Sequence, residues 1–162
     1  MNAVKLAGLA PASVFGYFEK ICAIPHGSRN TKTISDYLVS FAREQGIRFE
    51  QDVLNNVVMF QEGTCGLEDH SPVILQGHMD MVPESLAPFD FETCGIKTCI
   101  KDGWICADGT TLGADNGAGI SLMLSALTNL PDIPLECLFT VDEEAGMTGV
   151  EALSSAVLKG KT

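Results

Sequence analysis

The 162 residues contain no CxxC pair, no apolar run long enough to cross a bilayer, no internal repeat and no low-complexity tract. Without paired spacing, the six cysteines (Cys22, Cys65, Cys94, Cys99, Cys106 and Cys137) give no disulfide framework. Free thiols in a reducing cytosol fit them best, with a disulfide between two of Cys94, Cys99 and Cys106 as the alternative. Basic residues are also few. Ten Lys and Arg face 21 Asp and Glu, for a formal charge of −11. Such a field repels phosphates, which excludes a nucleic-acid surface or an anionic membrane as partner and makes cations the natural one. A minority of these acids are candidate ligands; most are solvated surface groups. The opening ten residues have no sustained apolar region followed by a cleavage site, so no secretory leader is read there.

What is present is enough for one globular domain, since 46% of the residues are hydrophobic. Val14, Phe18, Ile21 and Cys22 recur at helical spacing after Ser13, a candidate cap, and the run stops before Ile24-Pro25. Ile34, Tyr37, Leu38, Phe41 and Ala42 form a clearer helical stripe that ends near Gly46. Residues 47–52 and 57–60 read as a hairpin turned by Asn55-Asn56, followed by a loop over 61–71 and a buried strand over 73–75. A second hairpin flanks Lys101-Asp102-Gly103. Ile120, Met123, Leu124, Leu127 and Leu130 predict a helix from Asn116 to the stop at Pro131, and residues 135–141 a further strand. Thr148 and Glu151 have capping-box spacing, which predicts a last helix over 149–158. Helices alternating with strands predict an α/β layer structure, and the hairpins make its sheet mixed.

Three segments carry chemistry, each at a strand end or a helix start, where ligands of open α/β sheets gather. In Gly77-His78-Met79-Asp80-Met81, extended backbone puts His78 and Asp80 on one face, so Asp80 can hold one imidazole nitrogen while the other binds metal. The competing reading is a pair of polar loop residues. In Leu112-Gly113-Ala114-Asp115-Asn116-Gly117-Ala118-Gly119, glycines around one acid allow close backbone approach at a helix N-terminus. Here Asp115 or Asn116 as a simple N-cap is the alternative; a phosphate loop is excluded because no Walker-type lysine follows. Val141-Asp142-Glu143-Glu144-Ala145-Gly146 places three acids after an apolar strand. If that backbone is extended, Glu143 and Glu144 point apart, one to metal and one to water or substrate; a solvated acidic turn is the other reading. Histidine, aspartate and glutamate suit zinc, with manganese or cobalt as alternatives. A pair of such ions can acidify a shared water and polarise an amide carbonyl.

At these motifs, and also at Phe18-Glu19-Lys20-Ile21-Cys22-Ala23-Ile24-Pro25 and Ile34-Ser35-Asp36-Tyr37-Leu38, the chain resembles the M20 metallopeptidases, and within them the aminoacyl-histidine dipeptidases. The resemblance runs in order over nearly the whole chain. It implies a zinc-exopeptidase-like catalytic domain with a mixed sheet flanked by helices. It also implies two divalent metals, with His78 on one, Asp115 bridging, Glu144 on the other, Asp80 orienting His78, and Glu143 as general acid/base. The substrate it implies is a small peptide, Xaa-His above all, in a cytoplasmic enzyme whose full-length form is a homodimer. By the same resemblance, residues 1–162 are the N-terminal part of the catalytic domain, and a further carboxylate ligand, a second histidine and a lid domain belong to sequence beyond Thr162. An M20 tripeptidase or deacylase, and a catalytically incomplete piece that acts only as a binding module, are the alternative readings.

Overall fold

The computed structural model describes residues 6–154 and 157–160. After a 3-10 turn (Leu6–Gly8), α1 (Ala12–Cys22) and α2 (Lys32–Gln45) lead into the antiparallel pair β1 (Arg48–Gln51) and β2 (Val57–Gln61). Then come β3 (Val73–His78), the hairpin β4 (Thr98–Lys101) and β5 (Trp104–Ala107), α3 (Ala114–Asn129), β6 (Leu135–Thr140) and the single-turn α4 (Thr148–Glu151). The main sheet has the order β1-β2-β6-β3, antiparallel except for the parallel β3–β6 pair, while β4 and β5 form a separate ribbon. A mixed α/β sheet is therefore observed, as the hairpins predict.

Alternation along the strands decides what each face does. Val57, Met59, Cys137 and Phe139 project to one face, where Ile34 and Leu38 of α2 and Ile120, Leu124 and Leu127 of α3 close over them in the principal core. Val58, Phe60 and Leu138 project to the other, beneath Leu153, Val157 and Leu158. A smaller cluster of Leu6, Phe18, Cys22, Met81 and Ile96 binds α1 to the loops before the ribbon. All six cysteines are free thiols, so none of the three clusters rests on a disulfide.

Local signals place most boundaries. Gly46 ends α2 in the left-handed conformation (φ 68°), as its position after the stripe predicts. Asp102 and Gly103 are both left-handed (φ 52° and 83°), the requirement of a two-residue hairpin turn. Four expectations are corrected. Pro11, not Ser13, is the N-cap of α1, and Ser13 Oγ instead pairs with Ser125 Oγ at 2.8 Å, tying α1 to α3. The strand at 73–75 is not fully buried: β3 is an edge strand and Val73 is 49% exposed. Leu130, read into the α3 stripe, is its half-exposed C-cap. No capping box forms at Thr148, because left-handed Met147 is the N-cap and α4 stops at Glu151; part of the helix expected over 149–158 lies outside the described residues.

Candidate metal centre

Parallel pairing puts His78 opposite Thr140, so the carboxyl ends of β3 and β6 lie side by side. The ladder continues one step further, with Met79 N donating to Thr140 O at 2.7 Å. The next residues are gripped by the loop between α1 and α2: Met81 N donates to His26 O and Ser28 N to Met81 O, each at 3.1 Å. That pairing delivers Ser28 to Asp80. The Asp80 carboxylate, 1% exposed, accepts from Ser28 Oγ (2.8 Å), Glu143 N (3.0 Å) and Glu144 N (3.3 Å). Burial works to raise its pKa, but the His78 ring, Ser28 and the Glu143 amide outweigh burial and hold it below the usual carboxylate value.

His78 is 6% exposed. Its Nδ1–H donates to the Asp80 backbone carbonyl at 3.0 Å, with Asp80 Oδ1 at 3.5 Å, and its Nε2 lies 3.0 Å from Asp115 Oδ1. The carbonyl, rather than the carboxylate, thus makes the closer contact. With Asp80 first, then Asp115, favouring the charged ring against burial, the His78 pKa is pushed up to about 9. In this state the imidazolium is the counter-ion of the surrounding acids.

Asp115 comes from the glycine-rich start of α3. Left-handed Gly113 (φ 72°) is the N-cap, and Asp115 and Asn116 both depart from helical angles, joined by a cis peptide. The Asp115 carboxylate turns to His78 Nε2 rather than to a helix amide, so Asp115 is not a simple N-cap. Each glycine has its own reason. A side chain at Gly117 would press on Phe18 of α1, and one at Gly119 would collide with the Asn116 side chain. The Asp115 side chain is 81% exposed and free to meet a ligand.

The acids after β6 are not extended, contrary to the expectation. Asp142 is left-handed (φ 53°), accepts from Arg29 N at 2.6 Å, and starts a turn closed by Gly146 N to Glu143 O. The turn aims the Glu143 and Glu144 amides at Asp80 and brings the Glu144 carboxylate to the other two groups. One ligand atom each from His78, Asp115 and Glu144 lie within 4.8 Å of one another. Glu143 is outside this cluster; the structure ties its backbone amide, not its carboxylate, to the centre. A cleft of about 250 Å³ opens beside Asp115 and Glu144, walled by Met81, Val82, Thr111 and Leu112. Thr111 also lines a neighbouring cavity of about 440 Å³ with Glu84, Ser85 and Thr110.

Chemically, the donor set fits a divalent cation: a neutral imidazole nitrogen and two carboxylates, with the histidine braced from behind by a hydrogen-bonded acceptor. Comparison with known proteins gives the same direction. Peptidase family M20/M25/M40 matches residues 74–161, more than half the chain. The chain belongs to this family. The M20 chain is 40% identical over 153 residues to the cytosol non-specific dipeptidase of Escherichia coli K12, covering 92% of this chain and 32% of that protein. The aminoacylhistidine dipeptidase structure from Vibrio alginolyticus superposes with a TM-score of 0.91 at 40% identity, covering 97% of this chain and 33% of that one. A tripeptidase structure from Staphylococcus aureus superposes with a TM-score of 0.77 at 26% identity, covering 91% and 41%. The M20 chain thus spans about a third of the length of the dipeptidases it matches.

One participant escapes the sequence reading, Ser28. It lies in a short polar loop after Ile24-Pro25, which the long-range Gly27–Met81 bridge brings to Asp80. No local pattern carries that pairing.

Proposed function

We propose that this chain belongs to a metal-dependent dipeptidase acting on Xaa-His dipeptides, and supplies the N-terminal part of its catalytic domain. The observation that carries the proposal is the convergence of His78, Asp115 and Glu144 within 4.8 Å above a buried, fully engaged Asp80. The assigned roles are His78 on one cation, Asp115 shared between two, Glu144 on the second, Asp80 as the residue that positions His78, and Glu143 as general acid/base. When bound, two divalent cations, zinc foremost with manganese or cobalt as alternatives, acidify a water and polarise the scissile carbonyl.

The chain's own groups supply the rest. Asp80 O fixes the Nδ1–H tautomer of His78, which leaves Nε2 as the ligating atom. The same Asp80 carboxylate holds the 143–144 backbone through two amides, which fixes where both glutamate side chains start. The Glu143 carboxylate takes a proton from the attacking water as its oxygen bonds to the carbonyl carbon, and passes it to the leaving amine as the C–N bond breaks. These residues give each cation two protein ligands, with Asp115 counted twice, against the three usual for catalytic zinc. Further ligands from elsewhere in a longer protein fit this reading, as do a cytoplasmic location and a homodimeric full-length enzyme. A peptide substrate accords with the dipeptidase and tripeptidase relatives.

Calorimetric titration of zinc into the chain tests the centre. Binding that falls at least tenfold in Asp115→Ala is expected, and equal affinity in the two proteins refutes the shared-ligand role. Because a tripeptidase also matches, the complete enzyme is assayed on Xaa-His dipeptides, tripeptides and acylated amino acids. Preference for the first supports the dipeptidase reading; preference for tripeptides overturns it.

A further inference from the structure

His26 is 3% exposed and has no role in the mechanism above. Its Nδ1 lies 2.6 Å from Ile24 O, an atom that only accepts, so Nδ1 carries the hydrogen. Burial lowers its pKa and keeps the ring neutral. Nε2 is therefore a bare lone pair, and it is one of two buried side-chain polar atoms among the described residues with no hydrogen-bond partner. Buried acceptors are nearly always satisfied, so this one calls for a donor. Its direction is informative. A Cβ built on Gly113 would stand 3.2 Å from Nε2 and 2.8 Å from Met81 Sδ, so the imidazole lies directly beneath the left-handed Gly113 turn, two residues before Asp115. The same short segment sends Ser28 Oγ to Asp80 and pairs Gly27 with Met81. Residues 26–28 thus touch both the histidine side and the Asp115 side of the centre.

We propose that His26 is a positioning residue of the metal centre: as the Nδ1–H tautomer it supports the Gly113 turn, and its Nε2 accepts a hydrogen bond from an N–H or O–H group when Asp115 engages a cation. The inference rests on the cation-binding reading of His78, Asp115 and Glu144. It requires a hydrogen-bond acceptor at Nε2, not merely a ring of the right size.

The test is zinc titration of the chain and of His26→Phe, His26→Gln and His26→Asn, with circular dichroism to establish that each is folded, and ¹⁵N-histidine spectra of the unsubstituted chain. The glutamine carbonyl reaches the Nε2 position and the shorter asparagine carbonyl does not. Expected are a protonated Nδ1 and unprotonated Nε2 for His26, zinc affinity about tenfold weaker in His26→Phe and His26→Asn, as for loss of one hydrogen bond, and recovery to within about threefold in His26→Gln. If His26→Phe does not fold, the Gln and Asn pair decides alone. Equal affinity in Gln and Asn, unchanged affinity in Phe, or a hydrogen on Nε2 in the cation-free chain overturns the proposal while leaving the cation site standing. No zinc binding by the unsubstituted chain overturns the His26 proposal; the cation reading is overturned only if the complete enzyme, with its further ligands, also binds no zinc.

Discussion

Replacing Asp80 by alanine should cost far more than an ordinary surface change, and should loosen one particular turn. The carboxylate is buried and accepts from Ser28 Oγ at 2.8 Å and Glu143 N at 3.0 Å, with a longer bond from Glu144 N at 3.3 Å. Hydrogen bonds to a charged group contribute about 1.5–3 kcal/mol each, and the donors left behind are partly buried. Counting the two short bonds fully and the long one as minor gives a loss of about 3–6 kcal/mol, a large share of the roughly 5–15 kcal/mol typical of a domain. Asp80→Asn keeps the volume but turns one acceptor into a donor facing N–H and O–H groups, so it should lie between the parent and alanine. Urea unfolding gives the global loss. Amide hydrogen exchange locates it: the Glu143 and Glu144 amides should lose protection beyond the global change, because Asp80 is their acceptor. Unaltered protection of both amides in Asp80→Ala, with an unchanged urea midpoint, refutes the account of Asp80 as the anchor of this turn.

Other outcomes follow from equally specific contacts. Cys22 and Cys137 are buried thiols, each pushed up to about 12 from 9.0, by burial in both and by nearby Glu19 in Cys22. Above pH 9 the unfolded chain loses these protons and the folded chain keeps them, so stability is full below pH 9 and falls towards pH 12, by about 1.4 kcal/mol per pH unit per thiol. Urea midpoints across that range should decline less in a Cys22→Ala, Cys137→Ala double variant, and an equal decline would contradict the burial argument. Gly95→Ala drives a Cβ into the Ala23 carbonyl, at a cost of about 1–3 kcal/mol, whereas Gly8→Ala meets open space and should leave the thermal midpoint within a degree or two. A chelator should leave the chain folded, with a cooperative melt only several degrees below the zinc-saturated one, since binding at 100 times Kd contributes about 2.7 kcal/mol. Loss of the melt on chelation would mean that the cation holds the fold.

The fold was legible wherever its determinants are close in sequence. The α2 stripe, the Gly46 terminus and the Asp102-Gly103 turn each depend on a few neighbouring residues, and all three appear as read. The misreadings share a non-local cause. Ser13 looks like a cap until α3 brings Ser125 to it, and Val73 looks buried until the sheet order puts β3 at an edge. Thr148 and Glu151 have the spacing of a capping box, yet Gly149 packs beneath the Val141 carbonyl and Asn56, and the chain turns away after Glu151. That the segments bearing His78, Asp115 and Glu144 meet was readable because each follows a strand or opens a helix, and α/β topology collects such ends; the choice of Glu144 over Glu143 came from the family resemblance. The support beneath them was not: Ser28 reaches Asp80 through the Gly27–Met81 bridge, across more than fifty residues of sequence.

The distribution of burial around the centre divides labour between groups that must stay and groups that must exchange. Asp80 is deeply buried, and protein donors compensate its charge, so its position does not depend on any ligand. Asp115 and Glu144 are exposed, so water can solvate both carboxylates at little cost, and a cation or peptide can reach them without opening the core. His78 connects the two layers, with Nδ1 fixed by the Asp80 carbonyl and Nε2 turned towards Asp115. Reversing this arrangement would fail on both counts. Exposed anchors would let the 143–146 turn wander, and buried carboxylate ligands would repel one another strongly enough to take up protons or unfold the site before a cation arrived. The proposed hydrolytic centre therefore needs a rigid floor that the apo chain already satisfies and an open rim that it leaves solvated, and the two strand ends with the Gly113 turn supply both.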